Sequence, residues 1–249
     1  MSSQRYDSIG HGYSKLRRED PRIAASIRLA LGGARSVVNV GAGAGSYEPA
    51  TPLVLAVEPS QVMVSQRDAS RAPTIRALAQ ALPLRDGSVD AAMSVLSIHH
   101  WAPHAKAGVR EMRRVARKRV VILTIDAEVS SEMWLMAEYL REVAELDRRI
   151  FPPVDVICDW LGGLAEVLVV PVPADTPDWT LLSFWAHPER VLDVDARGAT
   201  SGFARMTPQV VHRVVQAVTD DLRSGAWDDR HGELRRCKEL DVGLRLVVG

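Results

Sequence analysis

Residues 36–45 of the chain, SVVNVGAGAG, decide the fold, because a short β-branched run is followed at once by three alternating glycines. The run is typical of a buried strand. Gly41, Gly43 and Gly45 then allow the backbone to turn sharply and to approach a ligand closely. A dinucleotide-binding turn needs its third glycine one residue later, where this chain has Ser46. The compact spacing therefore favours a ligand without a pyrophosphate.

A second predicted strand, at residues 53–57, ends at Glu58, which is followed by Pro59. A carboxylate at the end of the second strand can accept hydrogen bonds from both hydroxyls of a ribose. The glycine turn and this acid together indicate a ligand that contains a nucleoside. The alternative is a glycine-rich turn beside a solvated Glu58.

The rest of the chain alternates strand patterns with helical ones, which predicts an α/β fold with a doubly wound sheet covered on both faces. Further strands are predicted over residues 74–78, 89–97, 120–125, 166–172 and 244–248. Helices are predicted over residues 21–31, 60–70, 106–117, 131–149, 154–164, 207–223 and 230–240. We interpret residues 1–249 as one domain in which two helical insertions, residues 127–165 and 174–242, form a cap over one edge of the sheet.

The chain resembles the class I S-adenosylmethionine-dependent methyltransferases, specifically the small-molecule branch (type 11) that includes the ubiquinone and menaquinone methylases. The segments that carry the resemblance are VNVGAGAG at residues 38–45, AVEPS at 56–60, AQALPLRDGSVD at 79–90 and SVLSIHHW at 94–101. The resemblance implies a seven-stranded Rossmann-like sheet, mostly parallel with an antiparallel last strand. It also implies S-adenosyl-L-methionine as the cofactor.

The same resemblance assigns roles to individual residues. The glycine turn lies against the cofactor, and Glu58 with Pro59 binds its ribose. Ala79 and Gln80 lie beside the adenine, and Leu96 lies beside the methionine part.

The chain departs from the family pattern at two positions. The acid usual two residues before the first glycine is Asn39 here, so Asn39 is expected to bind the cofactor's ammonium group by a neutral hydrogen bond, unless Glu48 takes over. The acid usual beside the adenine is Leu78.

The N-terminal residues 1–20 resemble the segment that many of these enzymes fold over the cofactor as a lid. Tyr13 and Arg17 have the matching spacing, and both could bind the methionine carboxylate. A frayed segment with an exposed arginine is the alternative.

His99 and His100 follow the fourth predicted strand. Neighbouring residues of an extended strand point in opposite directions, so we expect no facing pair for zinc and no metal site. We select His100 as the candidate general base, since the pKa of histidine lies near neutrality. A structural histidine at a strand end is the alternative.

Aromatic residues are concentrated in the cap segments, where they either line an apolar pocket for the methyl acceptor or form the cap's own core. They are Trp134, Trp160, Trp179, Phe184 and Trp185. Asp126, at the end of the fifth strand, is a further candidate contact for the acceptor.

Composition limits the classes of partner. Lys plus Arg and Asp plus Glu each number 31, a balance that disfavours nucleic acid, and we interpret the arginine-rich residues 110–117 as a solvated helix face. Two cysteines, Cys158 and Cys237, are too few for a disulfide framework. With no leader pattern and no apolar run long enough for a membrane, we expect a cytoplasmic protein.

The resulting hypothesis is an enzyme that transfers a methyl group to an oxygen, nitrogen or carbon atom of a small metabolite. A homodimer is one possible oligomeric state. A non-catalytic module that binds the same cofactor, as sensor or scaffold, is the alternative. An oxidoreductase that uses a nicotinamide dinucleotide is disfavoured by the glycine spacing.

Overall fold

The computed structural model describes residues 18–51 and 53–249, and nine strands lie within these residues. The first six are β1 (Ser36–Val40), β2 (Leu53–Val57), β3 (Thr74–Ile75), β4 (Val89–Val95), β5 (Ala116–Ile125) and β6 (Glu166–Val169). The last three are β7 (Val172–Pro173), β8 (Glu239–Leu240) and β9 (Leu244–Val248). Seven of them form one sheet in the order β3–β2–β1–β4–β5–β9–β6, and β7 pairs with β8 separately. The pairs from β3 to β5 are parallel, whereas β9 runs antiparallel to β5 and β6. The predicted sheet is confirmed.

The register of the central strands brings their carboxyl ends to one edge. Asn39 of β1 pairs with Ala56 of β2 and with Met93 of β4. Where β1 ends, the N–H groups of Gly41 and Ala42 both donate to the carbonyl of Val57, at 2.9 and 3.1 Å. The glycine turn is thereby fixed beside the end of β2.

The first helix is α1 (Pro21–Leu31), and further helices connect the strands. Asp20 caps α1, because its side chain accepts a hydrogen bond from the N–H of Arg22. The next five are α2 (Gln61–Ser65), α3 (Ala105–Val115), α4 (Ala127–Ser130), α5 (Arg141–Ile150) and α6 (Val154–Trp160). They are followed by α7 (Val194–Gly198), α8 (Ser201–Ala204), α9 (Pro208–Ser224) and α10 (Ala226–His231). No helix among residues 18–51 and 53–249 has the length and apolar character needed to cross a membrane.

Several predicted helices differ from the observed ones. The helix predicted over 60–70 ends at Ser65, the one over 106–117 ends at Val115, and the one over 154–164 ends at Trp160. The one over 230–240 is replaced by the end of α10, a 3₁₀ turn (Gly232–Arg236) and β8. The helix predicted over 131–149 is interrupted: α4 ends before it, at Ser130, and a π turn (Leu135–Tyr139) precedes α5. Met133, Trp134, Leu135 and Met136 are consecutive and all buried. One face of a straight helix cannot bury four consecutive side chains, which explains the break.

Two clusters of buried apolar side chains cover the two faces of the sheet. Alternation along β1 sends Val37 to the cluster that contains α1 and most of the cap, and Val38 to the cluster under α3. Although α6 belongs to the cap segments, its Ile157 packs in the α3 cluster. Both faces are therefore covered, as a parallel sheet requires.

Candidate active site

The glycine turn is held in a conformation that other residues rarely adopt. Gly41, Gly43 and Gly45 have φ angles of 68°, 51° and 96°. A Cβ on Gly41 would clash with the hydroxyl of Ser97, whereas one on Gly43 would meet only the methyl of Met63, at 3.3 Å. Gly41 therefore permits close packing against the loop after β4, and Gly43 has only the flexible end of the Met63 side chain against it.

Glu58 lies at the end of β2 with only 7% of its surface exposed. Its Oε2 accepts a hydrogen bond from the N–H of Gly43 at 2.8 Å, and its Oε1 accepts one from Ser60 at 2.9 Å. The solvated alternative for Glu58 is wrong. Because each carboxylate oxygen can accept two hydrogen bonds, both keep capacity for a ligand.

A buried ion pair beneath the turn has no counterpart in the sequence predictions. Arg67 and Glu48 pair at 2.7 Å, and their side chains are 5% and 3% exposed. Arg67 also donates to the carbonyl of Gly43 at 3.1 Å, and the side-chain amide of Asn39 donates to Glu48 at 3.0 Å. The Oδ1 of Asn39 is buried without a hydrogen-bond partner in the described part of the chain. Glu48 thus has its charge matched by Arg67, while Asn39 retains a free acceptor.

The residues assigned to the adenine precede β4 in the chain, and the residue assigned to the methionine part follows it. Ala79 is buried in the cluster under α3, Gln80 is half-buried and Leu78 is exposed. Leu96, directly after β4, has a φ of 47°, which is uncommon for a branched residue. Backbone strain such as that of Leu96 is frequent where a chain is held against a ligand. Pro59, which is predicted to bind the ribose, is exposed beside Glu58.

The expected divergence of the two histidines is wrong. β4 ends at Val95, and His99 and His100 lie in a 3₁₀ turn (Ile98–His100), where their ring centroids are 3.8 Å apart. Burial, followed by the charge of Arg205, lowers the pKa of His100 to about 4. Burial is also the main reason that the pKa of His99 lies well below its ordinary value. Both imidazoles are therefore neutral at neutral pH.

A cavity of about 140 Å³ lies between this turn and the cap. The lining includes Leu96 and both histidines, and from the cap side Asp147, Phe151 and Arg205. Burial raises the pKa of Asp147 to about 6, although the charge of Arg205 opposes the shift. The cavity thus brings together the strained end of β4 and a set of charged and neutral polar groups.

Most of the predicted aromatic residues belong to the cap core and do not line this cavity. Trp134, Phe184 and Trp185 are buried, and the indole of Trp134 donates to the carbonyl of Trp185 at 2.9 Å. Trp160 and Trp179 are half-buried and also lie outside the cavity lining. Asp126 accepts a hydrogen bond from the N–H of Glu128 at the start of α4 and does not line the cavity either.

Comparison with known proteins agrees with this geometry. A family model described as a methyltransferase domain matches residues 38–124. The crystal structure of a protein named "putative methyltransferase from antibiotic biosynthesis pathway", from Anabaena variabilis ATCC 29413, is 30% identical with a TM-score of 0.86. The alignment covers 94% of this chain and 98% of that one.

The chain belongs to the S-adenosylmethionine-dependent methyltransferases.

Two more distant structures share the fold alone. A SAM-dependent methyltransferase from Thermotoga maritima is 19% identical with a TM-score of 0.51, over 70% of this methyltransferase and 84% of that chain. The YcgJ protein from Bacillus subtilis is 16% identical with a TM-score of 0.52, over 91% and 96%. A comparison with curated protein sequences gives no match.

The observed groups of this methyltransferase fit S-adenosylmethionine, its cofactor. The buried carboxylate of Glu58 and the free acceptor on Asn39 suit a ligand with a ribose diol and an ammonium group, and the Gly43 turn, which has no side chain of its own, leaves its backbone approachable. Tyr13 and Arg17 lie outside the described residues. Sequence reasoning missed Arg67, Asp147 and Arg205.

Proposed function

We propose that this methyltransferase transfers the methyl group of its cofactor to an oxygen, nitrogen or carbon atom of a small molecule bound in the cavity. The observation that supports this proposal is the position of the cavity. Leu96, Leu123 and Ile125, at the ends of β4 and β5, line it, and ligands of parallel α/β sheets bind at this edge. Its volume of about 140 Å³ is smaller than that of most pockets for drug-sized ligands, so it suits only a very small molecule or one group of a larger one.

We propose that the cofactor lies across the glycine turn. Glu58 binds the ribose diol, beside Pro59, while Gly41, Gly43 and Gly45 allow the approach. Ala79 and Gln80 lie against the adenine. Because the side chain of Ala79 is buried, this residue contributes mainly through its backbone.

At the methionine end, Asn39 accepts a hydrogen bond from the ammonium group, and Leu96 lies against the side chain. Tyr13 and Arg17 are proposed to bind the carboxylate. The cofactor supplies an electrophilic methyl group that an in-line displacement transfers, so the chain's own task is to orient the two reactants and to exclude water.

His100 is the proposed base where the acceptor must lose a proton. Because its pKa is about 4, the imidazole is neutral at neutral pH and its lone pair can accept a hydrogen bond. This weak basicity suits an acceptor that is already acidic, or one that needs only positioning.

Ion pairs within the arginine-rich residues 110–117 support a small-molecule acceptor over a nucleic acid. Arg114 of α3 pairs with Glu111 at 2.6 Å, and Arg117, at the start of β5, pairs with Asp90 at 2.9 Å. Arginines engaged within the chain have fewer donors left for phosphates.

The test has two stages. Calorimetry should show binding of S-adenosylmethionine and of its demethylated product but not of NAD. Incubation with methyl-labelled cofactor and a metabolite library should then transfer label to at least one compound. Binding of NAD in place of the sulfonium cofactor would contradict the assignment of the turn. Cofactor binding with no transfer to any compound of a broad library would favour a non-catalytic module.

A further inference from the structure

Two charged side chains face the cavity from the cap side without partners. Asp147 lies on α5, and Arg205 directly follows α8. Neither side chain makes a hydrogen bond or an ion pair with any of residues 18–51 and 53–249, and Arg205 acts on Asp147 only through its charge. Charged groups in a partly desolvated cavity are unfavourable unless they are paired. They therefore indicate a polar ligand.

None of the other polar side chains that line the cavity makes a direct pair with Arg205 within the described part of the chain. His99 and His100 are neutral at neutral pH. Asp178, which also lines the cavity, accepts a hydrogen bond from the hydroxyl of Tyr47 at 2.9 Å. The guanidinium is the one cation among the cavity-lining side chains of the described chain. Its planar set of donors matches a carboxylate in two parallel hydrogen bonds.

We propose that the methyl acceptor carries a carboxylate group and that Arg205 binds this group at the cap side of the cavity. This inference deepens the proposed function and rests on it, because it names the chemical class of the acceptor. The acceptor would be a monoanion, since a single guanidinium faces two carboxylates, Asp147 and Asp178, in the same space.

The response of the two free charges to pH distinguishes an anionic acceptor from a cationic one. Arginine does not lose its proton in proteins, so Arg205 would repel an ammonium group at every accessible pH. Asp147, whose pKa burial raises to about 6, can take up a proton when an anion enters. Protonation of Asp147 therefore lets the cavity accept a carboxylate beside Arg205, whereas an amine would gain the two carboxylates as partners but meet the charge of Arg205.

This reasoning predicts pH-dependent binding of a carboxylate. Asp147 gains a proton as the pH falls through about 6, which removes a repulsive charge. Affinity should rise between pH 8 and pH 5.5, while burial keeps His99 and His100 largely neutral. In D147N the rise should be absent.

The experiment measures binding by ligand-observed NMR, with and without the demethylated cofactor. The probes are aromatic and aliphatic carboxylic acids, each with its primary amide and its amine as matched compounds. The variants are R205M, R205K and D147N. The control is R223M, which removes one positive charge from an exposed residue of α9 outside the cavity lining.

The wild-type protein should prefer carboxylates to their amides by about tenfold or more. R205M should lose this preference, which is a roughly 10- to 100-fold loss for the acids with little change for the amides. R205K should keep part of it, R223M all of it, and D147N should bind the acids a few-fold more tightly.

The proposal is overturned if the wild-type protein shows no preference for carboxylates, including the case in which none binds. It is also overturned if R205M keeps the preference, or if amines bind best. Calorimetry with S-adenosylmethionine on the same samples distinguishes a failure of the proposed function from a failure of the acceptor class. Failure to bind the cofactor contradicts the proposed function, whereas cofactor binding without a carboxylate preference contradicts only the acceptor class.

Discussion

The buried pair of Arg67 and Glu48 gives the most demanding prediction. In R67M the Glu48 carboxylate, 3% exposed, would retain the side-chain amide of Asn39 at 3.0 Å and the N–H of Ala72 at 3.4 Å as its donors. The carbonyls of Gly43 and Ala72 would each lose a hydrogen bond. Removing one member of a buried ion pair costs about 3–5 kcal/mol, because the other charge stays desolvated. This is a large fraction of the roughly 5–15 kcal/mol that stabilises a typical domain.

The double variant E48M/R67M separates the ion pair from the other contacts. Replacing both charges by apolar side chains removes the stranded carboxylate, so the loss should be smaller than in R67M alone. A double-mutant cycle should therefore give a coupling energy of about 2 kcal/mol or more between the two positions. As a control, the exposed pair of Arg149 and Glu145, with side chains 73% and 64% exposed, should contribute at most about 1 kcal/mol.

Urea unfolding followed by circular dichroism measures these free energies, provided that the slopes of the transitions agree among the variants. A loss below about 1 kcal/mol in R67M would refute the reasoning, as would strictly additive effects of E48M and R67M. If R67M is too unstable to study, R67K should show an intermediate loss, since a lysine keeps the charge but not the bond to Gly43.

Three further predictions concern cofactor binding and pH. E58Q should weaken binding of S-adenosylmethionine by roughly 1–3 kcal/mol in calorimetry, because the ribose loses a charged acceptor, and unchanged affinity in the folded variant would remove Glu58 from the site. G43V should abolish binding, since a branched residue resists a φ of 51° and would place a bulky side chain between the turn and the cofactor; normal binding would show that the turn faces elsewhere. Because the pKa of His100 is lowered from 6.5 to about 4, the unfolded chain binds the proton more readily and stability is lost as the pH falls through this window. H100Q should therefore lose less unfolding free energy between pH 7 and pH 5 than the wild type, and an equal loss would place His100 outside the buried cluster.

The sheet could be predicted because its signals are local. β1 is a β-branched run followed by glycines, and β9 is an apolar run of the same length, so each strand ends close to the predicted residue. The glycine turn and Glu58 follow from the same local pattern, since both lie directly after strands.

The broken helix in the cap and the two charges of the cavity depend on tertiary contacts instead. Nothing in the spacing of residues 131–149 shows that four consecutive side chains are buried. Arg205 lies in a short connection between α8 and α9, and Asp147 lies on an amphipathic helix where acids are ordinary. Their meeting in one cavity requires the cap to fold back on the sheet, for which the sequence offers no local signal. His99 and His100 both line the cavity, and His99 enters it only because a 3₁₀ turn replaces the end of the strand.

The packing of the cap bears on how an acceptor enters. Trp134, Trp185 and Trp227 are buried in one cluster with α1, and the indole of Trp185 donates to the carbonyl of Val172 at 3.0 Å. Swinging the cap away would expose these side chains, and each contributes a large apolar area to the core. This packing favours the prediction from the sequence that residues 1–20, and not the cap, act as the lid. Hydrogen exchange should then be slow in the cap with or without S-adenosylmethionine, while the amides around Tyr13 should gain protection only when it binds. Cofactor-dependent protection confined to the cap would reverse the assignment, because the moving wall would be the one that carries Asp147 and Arg205.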